Sequence, residues 1–167
     1  MENEAASRHG LRRLGAEFGL IPMSGDNTVQ PEKMSRIFQS PWWELDVPLP
    51  WRAKKFDHCV EISQPEGAGA VHISYARKMS GSISVDEILT QLKELCPEEA
   101  EPRRVCLGDF EGYSADYVDW KEGAFWKRWF MASKQIFFFA SFVCKHGEEN
   151  LELAQIELLL SSLRSRE

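Results

Sequence analysis

Twenty residues, Phe125 to Cys144, read FWKRWFMASKQIFFFASFVC and carry eight aromatic rings. Whatever fold the chain adopts has to bury most of them. A membrane-spanning helix needs about twenty apolar residues with few charges. Here Lys127, Arg128 and Lys134 interrupt the run, and a charge at bilayer depth costs several kcal/mol. The residues are aromatic and β-prone. The stretch therefore reads as two β-strands with ASKQ turning between them, and no membrane insertion is expected.

Setting Trp120 opposite Ala124 across KEG, and Ala132 opposite Gln135, predicts two sheet faces from three strands. One carries Tyr113, Ala115 and Tyr117 with Phe125, Trp129, Met131, Phe138 and Phe142. The other carries Asp116 and Trp120 with Trp126, Arg128, Phe130, Phe137 and Phe139. Neither face is wholly polar, so both need cover. In this register Asp116 falls opposite Arg128, and the two form a structural ion pair among the rings.

The rest of the chain supplies the cover. WWELDVPLPW alternates Trp43, Leu45 and Val47 until Pro48 and Pro50 stop it, as in an edge-type strand. HCVEIS and AVHISY pair as a hairpin with Ser63 opposite Ala70. Ile62, Val71, Val60 and Ile73 then share one face, and Glu61 and His72 form a cross-strand pair on the other. SVDEILTQLKELCP is a helix with Ser84 as N-cap and Glu87 completing a capping box. Its apolar stripe is Val85, Ile88, Leu89, Leu92 and Leu95. RRVCLGDF is a further strand. EENLELAQIELLLSSLR reads as a closing helix, with Leu151 and Leu158 widening the buried face of Leu153, Ile156, Leu160 and Leu163. Residues 1–36 read as a flexible N-terminal extension in which Leu11, Leu14 and Phe18 line one side of a short helix. Residues 37–167 form one domain.

The expected fold is α+β: an antiparallel sheet of about seven strands sandwiched between helices as α/β/α. The order of elements carries a resemblance. A strand ending VPLPW is followed by a hairpin, a helix opening SISVDEI, then CLGDFEGYSADYVD, FWKRWFM, IFFFASFVC and a last helix. This resembles the PsbP-like fold family, in particular its small bacterial members of unknown function, in which a G-x-F-x-G turn precedes a long meander. Here the turn is Gly108, Phe110 and Gly112. The resemblance implies binding to another macromolecule without chemistry, as in bacterial immunity or effector-chaperone modules, and carries over no particular binding residue.

Chemistry-bearing patterns are sparse. There is no Walker A loop, G-x-G-x-x-G, G-x-S-x-G or H-E-x-x-H. Cys59 follows His58, but neighbours on a strand point to opposite faces. Asp109, Glu111, Asp116 and Asp119 match no metal loop, so neither metal nor cofactor is expected. The net charge of −6 argues against nucleic acid as a main partner. The four cysteines form no C-x-x-C pair and the first twenty residues hold no continuous apolar run. A cytoplasmic protein with reduced thiols is the expectation. Trp42 and Trp51, near the sheet edge among prolines, are the candidate interface anchors. The expected function is a non-enzymatic interaction domain whose partner is another protein or a second copy of itself. The alternative is a small-molecule binder or hydrolase with a pocket at one end of the sheet.

Overall fold

The computed structural model describes residues 20–22 and 35–166. The strands are β1 (Leu20–Pro22), β2 (Ser35–Gln39), β3 (Trp43–Pro48), β4 (Arg52–Lys55), β5 (Val60–Ser63), β6 (Gly69–Lys78), β7 (Arg103–Leu107), β8 (Phe110–Asp119), β9 (Ala124–Ser133), β10 (Ile136–Lys145) and β11 (Arg164–Ser165). The helices are α1 (Val85–Leu95) and α2 (Leu153–Leu160), the latter preceded by a 3-10 turn at Glu149–Leu151.

The four longest strands, β6, β8, β9 and β10, have ten residues each and form the middle of an antiparallel sheet. Its order is β4-β5-β6-β10-β9-β8-β7, with β1 also paired to β6. The fold is thus α+β and mainly antiparallel. The aromatic stretch is its centre: β10 is buried at nine of its ten positions. Two cores result. Face A of the sheet carries Trp129, Met131, Phe138 and Phe142, and face B carries Phe130, Phe137 and Phe139.

The covers of the two faces differ, which corrects the expected sandwich between helices. Face B is covered by α1, whose Ile88 and Leu92 pack on Phe130 and Phe137. Face A is covered mainly by a second sheet, in the order β11-β3-β2, together with α2. β3 is accordingly the middle of that small sheet and not an edge of the large one. Its alternation is as read: Trp43 and Leu45 are fully buried and Val47 nearly so. The Trp43 ring meets Phe138 edge-on, with centroids 5.3 Å apart.

The closing helix is shorter than its apolar pattern. Ser161 and Ser162 donate their hydroxyls to Leu158 O and Leu159 O, which offers the backbone an alternative to continuing the helix. The chain then turns into β11. Leu163 is buried, whereas Leu151 and Leu158, expected to be packed, are 65% and 75% exposed.

Two pieces of the expected N-terminal extension are strands. Leu20–Pro22 pairs with Ala76–Lys78, and Ser35 and Arg36 begin β2. The proposed helix of Leu11, Leu14 and Phe18 lies outside the described residues. Among the described residues no helix is long and apolar enough to cross a membrane.

Candidate functional sites at two ends of the sheet

The register of β8 against β9 determines where the polar residues go. The turn between them takes four residues, 120–123, closed by Gly123 at φ +64°. Asp119 pairs with Ala124, so every β8 side chain falls on the face opposite to that expected from a three-residue turn. Asp116 is therefore opposite Lys127, and Arg128 is opposite Ala115. The expected Asp116–Arg128 pair does not form.

Each charge finds other company. Asp116 lies 3.6 Å from Arg103 and 3.9 Å from Lys127 on face A. Lys127, only 9% exposed, makes its closer bridge to Glu157 of α2 at 2.9 Å. Arg128, on face B, donates to the carbonyl of Leu95 at the end of α1. Its guanidinium lies 4.9 Å from the Trp126 ring centroid and 5.5 Å from that of Tyr117. Burial pushes the Tyr117 hydroxyl up to about 12, opposed by the Arg128 charge. Burial also raises the Cys96 thiol beside the same guanidinium.

One row across face B brings together residue types used in nucleophilic catalysis. Glu61 pairs with His72, His72 with Ser141 and Ser141 with Arg128. The Glu61–His72 contact, expected from sequence, is 3.3 Å. Yet Ser141 is 5% exposed, and a nucleophile has to meet its substrate. The row is a packed polar seam. The acidic residues of β7–β9 also separate into structural roles. Asp109 accepts from Ser165 N, Glu111 pairs with Arg104, and Asp119 caps its own turn through Lys121 N and Glu122 N. Among the described residues no group of three His, Cys, Asp or Glu converges as metal ligands. Among the described residues the four cysteines form no disulfide.

The two tryptophans expected to anchor an interface are not presented to solvent in that way. Trp51 is 3% exposed, inside the face A core, where its N–H is tied to Pro48 O as the chain turns back into β4. Trp42 is half-buried beneath the Arg77 guanidinium, which lies 4.0 Å from its ring centroid. The exposed ring belongs instead to Trp120, at 77%. It stands on the β8–β9 turn and meets the His146 ring edge-on at 5.1 Å. The His146 ring lies 3.7 Å from Glu149, and the His146 backbone N–H donates to Gly123 O, joining this turn to the end of β10. Only the turn length would have revealed Trp120 in the sequence, because a three-residue turn makes it the last strand residue.

The opposite end of the sheet holds a cavity of about 400 Å³ on face B, beneath the first turn of α1. It is lined by the buried Ile88 and Ala132, the half-buried Ile83 and the exposed Arg104, Glu111 and Lys134.

No family model matches the chain, and neither does any curated protein. Its fold is similar to that in a crystal structure of a protein from Bacteroides thetaiotaomicron, with a TM-score of 0.62 and 20% sequence identity. The match covers 81% of this chain and 50% of that one, so the chain spans about half the length of that protein. At this identity the likeness concerns the fold alone.

Proposed function

We propose that this chain is a non-enzymatic interaction domain of PsbP-like type whose partner is another protein. The observation that carries the reading is Trp120, a ring 77% exposed on a turn fixed by Asp119 and buttressed by His146. Tryptophan is the residue type most enriched among binding hot spots. Holding the ring in place beforehand reduces the ordering cost of association. The PsbP-like element order supports a partner of the class met by bacterial immunity or effector-chaperone modules, a toxin or a secreted effector.

The test is capture from a bacterial lysate by the immobilised full-length chain, with wild type and Trp120→Ala compared under equal loading. Wild type is expected to retain a discrete protein that the variant loses, with thermal midpoints agreeing within about 2 °C because an exposed site contributes little to stability. Sedimentation of both proteins distinguishes a second copy of the chain from a different partner. Equal retention by wild type and variant, or retention of no protein by either, refutes the assignment.

A further inference from the structure

We propose that the cavity beneath α1 is a binding site for a small organic acid with an apolar body and one terminal carboxylate. A volume of about 400 Å³ falls within the range of small-molecule sites. The interior is apolar, formed by Ile83, Ile88, Ala132 and the Tyr113 ring. Val85 extends this wall. It occupies an apolar position of α1 yet is 55% exposed, because the stripe overhangs the cavity at that point instead of meeting the sheet.

The polar groups lie at the mouth, and their charges do not cancel. Arg104 and Glu111 face each other at 3.4 Å, with side chains 78% and 69% exposed, so their bridge is weak and easily exchanged. Lys134 makes no ion pair among the described residues. Its placement is fixed by the backbone: it sits at φ +49° in the two-residue turn between β9 and β10, and its carbonyl accepts from Ile83 N at 2.8 Å. Asp86 and Glu87 both stand in the first turn of α1, and Glu87 is engaged by Lys78 at 2.6 Å and Ser84 N at 2.7 Å. Counted over the charged side chains that line the cavity, Arg104 and Lys134 against Glu111, one positive charge is in excess beside an apolar wall. That combination suits a carboxylate lying over Lys134 with its hydrocarbon part inserted below. A bare phosphate would leave the floor unfilled, and a cation would be repelled.

The experiment titrates the isotope-labelled full-length chain by NMR with 4-phenylbutyrate and, in parallel, with 4-phenyl-1-butanol, its uncharged counterpart. The acid is expected to give saturable shifts at the amides of residues 82–88 and 111–113 and to bind about tenfold more tightly than the alcohol. Lys134→Gln should bring the two affinities together. Val85→Asp, which removes part of the apolar wall and adds a negative charge, should weaken both ligands and the acid more than the alcohol. Absence of saturation, equal affinity for acid and alcohol in the wild type, an unaltered preference in Lys134→Gln, or shifts centred on the Trp120 turn would each overturn the assignment.

Discussion

Arg128 holds its guanidinium beside the stacked rings of Tyr117 and Trp126 and donates to the last turn of α1. It cannot shed its charge, so its energy depends on those partners. Removing it deprives Leu95 O of a charged donor, and hydrogen bonds to charged groups are worth about 1.5–3 kcal/mol. Asp116 is different. Its side chain is 30% exposed, its two cations are 3.6 and 3.9 Å away, and Lys127 retains Glu157 when Asp116 is lost. Such a carboxylate contributes less than about 1 kcal/mol. Urea unfolding should therefore show Arg128→Met costing more than Asp116→Ala, by about 1 kcal/mol or more. The reverse order would indicate that the aromatic clamp contributes nothing. A pairing of Asp116 with Arg128 predicts that reverse order, and the two readings differ by one residue in one turn. Nothing in KEG distinguishes a three-residue turn from the four-residue turn that includes Trp120, yet all ten β8 positions change face with that choice.

Among the elements, α1 was the most legible, because its signals are local. Ser84 accepts from Glu87 N, and Glu87 accepts from Ser84 N, as the four-residue spacing requires. Ser84→Ala should cost about 1 kcal/mol. Glu87 adds a pH dependence. Burial alone would raise its carboxyl, but Lys78 together with the Ser84 backbone and hydroxyl lowers it below its ordinary 4.5. A depressed carboxylate contributes stability above its unfolded value and loses it as pH falls through the folded one. Chemical denaturation between pH 5 and pH 3 should show a shallower acid loss in Glu87→Gln than in wild type. Identical slopes would mean that the Lys78 bridge contributes nothing to folding. The β5–β6 hairpin was equally legible, with Ser63 opposite Ala70 as its face pattern dictates. α2 was not, because its length is decided by where Leu163 must be buried, a tertiary demand that overrides the continuous leucine pattern.

At the scale of the molecule, the need for cover on both faces could be read from the aromatic strands, but the identity of the covers could not. The layer over face A pairs Trp43 and Glu44 with Ser165 and Arg164, from opposite ends of the chain. No local pattern specifies that meeting. Its attachment to the large sheet runs through the β7–β8 turn: Asp109 N binds Leu163 O at 3.0 Å, and Asp109 Oδ2 accepts from Ser165 N at 3.0 Å. Gly108 makes this approach possible. At φ +60° it adopts a left-handed backbone, and a Cβ there would run into the Leu163 backbone. Gly123 has nearly the same φ, +64°, but a Cβ there meets nothing within 4 Å. The two glycines therefore separate conformational strain from packing. Gly123→Ala should cost only the left-handed penalty of about 1–2 kcal/mol. Gly108→Ala should cost that and more, because the Leu163 backbone must also move. It should further accelerate hydrogen exchange at Ser165 and along β3, where the small sheet loosens from the large one. Equal costs for the two substitutions, with exchange in β3 unchanged, would show that the two layers are held by side-chain packing alone and that the backbone contact at Gly108 adds nothing.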